Sequence, residues 1–409
     1  MSTSVFQSAT RLADIGVSEI LVRSANATAL KKVGRNVIIF GAGEPDFDTP
    51  DHIKAAAEKA MADGQTKYTA LDGSPAMKEA VRGKFLRDNG LSFSQDQVTV
   101  GAGAKQILYN AFMASLEPGD EVLIPAPFWT SYIDIVRICG GVPKMVPCSQ
   151  ADGFRLKPEA LENAITARTR WLLMNSPSNP AGAVHGVDDY MALGEVLDRH
   201  PHVWILSDDI YEHILFDGAT FTTFAGAVPR LADRTLTVNG VSKAFAMTGW
   251  RIGYGAGPAA LIGAMAIVQS QSTSCPSSVS QAAAVAALEG SLNCVVAMKR
   301  SFQTRRDIVV TQINAIEGLS CSAPGGAFYA YISCAGLMGA STTDGRIIHD
   351  DRAFADHLLT HDVAVIPGAC FGLSPFFRLS YACGDAELRK GLDRIAAACA
   401  ALRKSPQLN

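Results

Sequence analysis

"NGVSKAFAMTGWRIGYGAG", residues 239–257, sets a lysine, Lys243, and an arginine, Arg251, into an apolar stretch loosened by glycine, serine and threonine. The β-branched run "TLTVN" (235–239) leads into it, and "RIGYGAG" (251–257) reads as a further strand. The same grammar extends outward on the N-terminal side. "QVTV" (97–100), "EVLIP" (121–125), "WLLMN" (171–175) and "VWILS" (203–207) are each followed by a loop of Gly, Pro, Asn or Ser and usually by a helical pattern. Runs of unbroken apolarity mark strands covered on both faces, so the expectation is an α/β fold around a largely parallel sheet. Helices are expected at 104–115, 158–166, 187–199 and 279–310.

A chain of 409 residues that is 48% hydrophobic and 18% charged can bury a large core and divides into more than one domain. Outside the central block the style changes. "VIIFGAGEPDF" near the start, then "GAFYAYI", a helix around 350–360, "VAVIPGACFG", "FFRLSYA" and a final helix from Asp385 towards Leu402 are expected to join as a second, smaller α/β domain. The division read from this is 1–47 joining the small domain, 48–310 as the large domain and 311–409 as the C-terminal part of the small one.

A net charge of −3 and the lack of any Lys/Arg-rich run argue against a nucleic-acid partner. "MSTSVFQSATRLADIG" has no basic stretch leading into an apolar one, and no segment approaches eighteen unbroken apolar residues, so a cytoplasmic protein without a membrane partner is expected. Nine scattered cysteines without a C-x-x-C pair read as thiols in a reducing compartment. "HPH" (His200, His202) and "HDD" (349–351) lack converging ligands, and no metal is expected.

Ligands of open parallel sheets bind beyond the carboxyl ends of the strands, where loops and helix N-termini converge. After "QVTV" comes "GAGAKQ" (101–106), whose free backbone N–H groups and helix dipole suit a phosphate, although a Gly-rich turn is equally a tight turn. After "EVLIP" comes Trp129, a flat aromatic or a core residue. After "WLLMN" comes Asn179 before Pro180, an amide aimed into a cleft or a turn signal. After "VWILS" come Asp208 and Tyr211, a carboxylate that also suits a helix cap, and a phenol. After "TLTVN" comes Lys243, whose burial would lower its pKa and leave a nucleophilic amine, where a surface lysine would stay charged. Together these exits offer an anion turn, a ring face, an amide, a carboxylate with a phenol, and a lysine with an arginine. That set matches pyridoxal phosphate: a phosphate, a pyridine ring with a protonated nitrogen, a ring oxygen and an aldehyde.

From about Ile15 to Leu402 the chain resembles the class I aminotransferases of the fold-type I pyridoxal phosphate enzymes, and within them looks most like the bacterial aspartate aminotransferases. The resemblance is carried in order by "GAGEPDFDTP", "TKYTA", "GAKQ", "NSPSNPAG", "SDDIYEH", "SKAFAMTGWRIGY", "QSQSTSCPSSVSQ", "GAFY" and "FRLSYA". It implies a large domain with a mostly parallel seven-stranded sheet flanked by helices. It implies pyridoxal 5'-phosphate as cofactor, with Lys243 bonded to its aldehyde, Asp208 at the pyridine nitrogen, Tyr211 and Asn179 at the ring hydroxyl, and Trp129 stacked on the ring. Arg251, Gly103 and Ala104 would hold the phosphate, with Tyr68 arriving from the neighbouring subunit of a homodimer with shared active sites. Arg378 and Gly43 would hold the substrate's α-carboxylate, with Trp129 and Asn179 beside it.

Two departures stand out. Relatives often carry a serine three residues before the lysine, where this chain has Gly240, and the arginine that binds a distal carboxylate in the best known members has no counterpart here. Lys105, beside the phosphate turn, is the best placed remaining cation, with Ser18 near it. The reaction implied is ping-pong transamination of an amino acid, aspartate first, with 2-oxoglutarate. Transamination of aromatic amino acids or prephenate, and β-elimination, are the alternatives.

Overall fold

The computed structural model describes residues 6–13 and 15–403; the outer ends of the two terminal ranges above lie outside them. Its strands in chain order are β1 (Ile38–Ile39), β2 (Val98–Gly101), β3 (Glu121–Ala126), β4 (Val142–Pro147), β5 (Thr169–Asn175), β6 (Trp204–Asp208), β7 (Thr235–Gly240), β8 (Gly253–Ala256), β9 (Ser320–Cys321), β10 (Tyr329–Ser333), β11 (Val363–Ala364), β12 (Ile366–Pro367) and β13 (Phe376–Ser380). Seven of them form one sheet in the order β2-β8-β7-β6-β5-β3-β4. The pairs from β4 through β7 are parallel, while β8 runs against both of its neighbours.

The unbroken apolar runs have a direct physical reason. Side chains alternate across a strand, and here both faces are buried. Trp171, Leu173, Val122, Ile124 and Leu206 pack with the helices Ala104–Met113, Ser131–Ile138 and Ala259–Ser270 on one face. Leu172, Met174, Leu123 and Ile205 pack with Leu161, Tyr190, Leu193 and Leu197 on the other. Each such aliphatic burial contributes about 1.5–3 kcal/mol.

Strand β4 was not among the runs read from the sequence. "VPKMVP" is the sheet's exposed edge, and its two prolines, which lack an N–H, are tolerated there. The helix expected over 279–310 is two helices, Ser278–Glu289 and Asn293–Asn314, bent by 80°. Gly290 makes the corner: a Cβ there would lie 2.5 Å from Ala286 O. Among the described residues no single helix is long and apolar enough to cross a membrane.

The chain ends meet. Ile38 and Ile39 pair in parallel with Val363 and Ala364, and Ile38 and Phe40 share a buried cluster with Phe328, Phe377 and Leu388. Beside it stands the antiparallel sheet β12-β13-β10-β9. Where β8 passes the start of the helix Ala104–Met113, Gly253 allows backbones to touch, since a Cβ would lie 2.1 Å from Ala104 N.

Gly253→Ala should therefore force the two elements apart and cost about 1–3 kcal/mol or more. Gly263→Ala, a helical position with no atom within 4 Å of the added Cβ, should be neutral or stabilising by about 0.5–1 kcal/mol. Denaturant midpoints check the pair, and equal midpoints for the two variants would contradict the close approach.

Candidate active site

The register of the parallel strands brings Asn175 opposite Asp208, and Asp208 opposite Val238, at the carboxyl edge of the sheet. There a cavity of about 340 Å³ opens between the strand ends, β10 and β13, and the segment before the helix Glu19–Lys32. Asp208 is 3% exposed. Its Oδ2 accepts from the Tyr132 hydroxyl at 2.7 Å and its Oδ1 from Ile210 N at 3.3 Å. Burial outweighs these bonds and pushes the carboxyl up to about 6. Asn175 braces the same edge, donating to Asp208 O (2.8 Å) and accepting from Asn179 N (2.9 Å).

Four cations, Lys105, Lys243, Arg251 and Arg378, line the cavity against a single carboxylate, Asp208. Lys243 Nζ donates to Gly43 O at 2.7 Å. Burial brings its pKa down to about 8; Glu44 opposes the shift, and Arg251 and Arg378 add to it. Arg251 ends the short helix Thr248–Trp250 in the left-handed region (φ 56°), which turns its guanidinium back to Thr248 O (2.8 Å) and towards Ala102 O (3.4 Å). Gly103 sits at φ 92°, a region that favours glycine, and a Cβ there would lie 2.2 Å from Arg251 Nη2 and displace the guanidinium. The first amides of the helix Ala104–Met113 thus open beside the Arg251 guanidinium, an anion site by both charge and dipole.

Arg378, on β13, is 1% exposed and reaches only neutral acceptors: Asn179 Oδ1 (2.9 Å) and Gly41 O (2.8 Å). It lies over the rings of Tyr329 (4.6 Å) and Phe371 (5.0 Å), and its Nε has no partner among the described residues. A buried guanidinium without a counter-ion is costly unless an anion comes to it. Since Asn179 spends its oxygen on Arg378, the end left for a further ligand is the donating Nδ2. Tyr211 OH lies 2.9 Å from Tyr329 OH, and burial raises the Tyr211 phenol well above its ordinary range, so it stays protonated.

Gly43, Ala104, Lys105, Trp129, Asn179, Asp208, Tyr211, Lys243, Arg251 and Arg378 all face this cavity, with Gly103 against Arg251 behind it. Tyr68 does not: it is 91% exposed on the single chain. Lys105 is an exposed residue whose ammonium sits 4.7 Å over the Trp129 ring; Ser18 lines the same cavity. Although the residue as a whole is exposed, desolvation of its ammonium, and then the nearby Arg251, lower the Lys105 pKa, against Asp134. At Gly240 a side chain would come within 3.0 Å of Ile210 Cδ1 and 3.1 Å of Ile252 O, while Ser242 lines the cavity instead. Tyr132 and Tyr329 were not singled out in the sequence; Tyr132 lies three residues after Trp129 and Tyr329 is the last residue of "GAFY", and that proximity was the available signal. His200 meets Glu162 Oε1 (2.8 Å) and His202 meets Thr166 O (3.0 Å), both away from the cavity.

The lowered Lys243 pKa has a measurable sign. An amine with its pKa moved from 10.5 to about 8 is neutral, and nucleophilic, above the lower value. In the cofactor-free protein its condensation with glyoxylate, trapped by borohydride and located by peptide mapping, should quicken through a midpoint near 8 and then level off. A rate still climbing towards 10.5, as for a solvated lysine, would contradict the burial of the amine.

Comparison with known proteins gives one answer at three levels. The family model for aminotransferase class I and II matches residues 35–395. The chain is 60% identical over 395 residues to a Rhizobium meliloti aspartate aminotransferase, covering 96% of each, and 54% identical to the aspartate/prephenate aminotransferase of Cereibacter sphaeroides, covering 96% of this chain and 98% of that one. The crystal structure of the Rhizobium meliloti enzyme superposes with a TM-score of 0.95 at 60% identity, covering 97% of this chain and all of that one. The Thermus thermophilus aspartate aminotransferase with maleate superposes at 0.89 with 40% identity, covering 96% of this chain and all of that one. The chain belongs to the class I and II aminotransferases.

Proposed function

We propose that this aminotransferase carries the amino group of aspartate to 2-oxoglutarate with pyridoxal 5'-phosphate. The observation that carries the proposal is the charge imbalance of the cavity, four cations to one desolvated carboxylate, with Arg378 held against neutral acceptors. A cofactor phosphate and a dicarboxylate substrate supply the missing negative charge.

The residues fit the cofactor. Arg251 and the amides at Gly103 and Ala104 would hold its phosphate, Trp129 its ring face, Asn179 and Tyr211 its ring oxygen, and Asp208 its ring nitrogen. Lys105 borders the phosphate end. When bound, pyridoxal phosphate supplies an aldehyde that takes up the amino group and a protonated ring that draws electrons from the α-carbon. The protein does the rest. Arg378 and the Gly43 backbone seat the α-carboxylate, with Trp129 and Asn179 around it. Lys243 Nζ, neutral once deprotonated, takes the α-proton as general base and returns it. Asp208, raised by burial and held by Tyr132, keeps a proton on the ring nitrogen because a cation beside it relieves its own desolvation. Tyr211 donates a hydrogen bond and stays protonated while it does so.

A homodimer with shared sites and a cytoplasmic location belong to the same proposal. Tyr68, exposed on the single chain, would complete the phosphate site of the partner subunit; the nine cysteines are all free thiols. The division at 47/48 and 310/311 belongs to the same proposal: the seven-stranded sheet lies within 48–310 and the four-stranded sheet within 311–409, while the helix Asn293–Asn314 runs across the second boundary.

The substrate class rests on Lys105, whose ammonium lines the cavity over the Trp129 ring, and on the dicarboxylate maleate bound by the Thermus thermophilus relative. Prephenate, the second substrate in the name of the Cereibacter sphaeroides relative, is also a dicarboxylate. A charge-assisted hydrogen bond contributes about 1.5–3 kcal/mol, so Lys105→Ala should lower kcat/KM for aspartate and glutamate about ten- to a hundred-fold and leave phenylalanine and alanine nearly unchanged. Product analysis of the wild type with aspartate and 2-oxoglutarate must yield oxaloacetate and glutamate. Absence of those products would overturn the reaction, and equal losses on acidic and neutral donors would remove Lys105 from substrate choice.

A further inference from the structure

Next to the Tyr211 turn, three polar side chains close a ring, Lys84 and Glu212 buried and Asn89 half-buried. Lys84, on the helix Pro75–Asn89, is 0% exposed; its Nζ donates to Asn89 Oδ1 at 2.7 Å and pairs with Glu212 Oε1. Asn89 Nδ2 donates to Glu212 Oε2 at 3.0 Å. That helix is firmly placed, with Pro75 at its first turn, the Ser74 side chain accepting from Met77 N, and Gly90 closing it in the left-handed region. Burial raises the Glu212 carboxyl, but Lys84 and then His213 more than reverse this, so it is charged. His213 Nε2 lies 3.2 Å from Glu212 Oε1 and 3.7 Å from Asp88 Oδ2, and Asp209 also faces the group. Asp88, Glu212 and His213 are close enough together to suit a metal ion, but the Lys84 ammonium already stands at Glu212 as its cation.

A buried ion pair is a poor source of stability, because apolar side chains of the same volume usually do as well. What this one does have is position. Glu212 directly follows Tyr211, four residues after Asp208, and Ile210 N donates to Asp208 Oδ1 within the same turn. None of the three ring members lines the cavity. We propose that the Lys84–Glu212–Asn89 ring is a positioning device, which anchors the turn Asp208–Tyr211 to the helix Pro75–Asn89 and so sets the reach of the Tyr211 hydroxyl in the amino-transfer reaction. This rests on the function proposed above. Because a displacement of about 1 Å at a reacting group costs about a hundredfold in rate, an anchor adjacent to the phenol has leverage without touching substrate.

The test is the double variant Lys84→Met/Glu212→Met, which removes both charges together and leaves neither ion stranded. It is purified with pyridoxal phosphate and compared with wild type for thermal midpoint, for the pH titration of the bound cofactor's absorbance, and for kcat and KM with aspartate. The proposal expects a thermal midpoint close to wild type, a displaced absorbance titration, and kcat lower by about ten- to a hundred-fold with KM changed less. It further expects Tyr211→Phe to cost less in this background than in wild type, since the phenol is already misplaced. Wild-type kcat and titration, or losses that add fully with Tyr211→Phe, would overturn the proposal. If the double variant does not fold, Glu212→Asp, which keeps the charge and shortens the anchor, takes the same readouts, and unchanged values overturn it. A wild type that binds no cofactor would instead sink the functional reading, leaving the two failures distinguishable.

Discussion

Charge taken out of water is the constraint on which the site depends. Asp208 at 3% exposure and Arg378 at 1% exposure carry ionisable groups into a region whose walls are largely apolar, and they do not pair with each other. The consequence is visible in opposite directions: burial raises the carboxyl of Asp208 and lowers the amine of Lys243. Each group is thereby left in want of a partner, which the proposed cofactor and substrate would provide. The sheet edge makes this possible, because Tyr132 and Ile210 N hold the carboxylate while Asn175 braces the backbone carbonyl of the same residue.

The strand ends were legible because a parallel sheet covered on both faces writes unbroken apolar runs into the chain, and the residue after each run is then placed at the ligand edge. Asp208 after "VWILS" and Lys243 after "TLTVN" were found in this way. Strand β4 was not, since its prolines and exposed side chains remove the apolar signal at an edge. Nor was the corner at Gly290, which leaves the helix for extended backbone (φ −76°, ψ 179°) inside a stretch read as one helix.

Contacts between distant parts of the chain stayed out of reach of sequence reasoning. Tyr132 and Asp208 are 76 residues apart, Tyr211 and Tyr329 are 118 apart, and Arg378 and Asn179 are 199 apart. Strand order brings them together, and that order is set by packing across the whole sheet. The glycine at 240 is similar: it reads as a missing phosphate ligand in one dimension, and as a tight seam against Ile210 and Ile252 in three.

The central claim is that a dehydrated carboxylate at the end of β6 holds the ring nitrogen's proton. Asp208→Asn, loaded with pyridoxal phosphate and followed by stopped-flow absorbance through a single half-reaction with aspartate, addresses it most directly. The account predicts that the variant still binds the cofactor but reacts about a thousandfold or more slowly than wild type. A rate constant within about tenfold of wild type, with the cofactor bound, would contradict it.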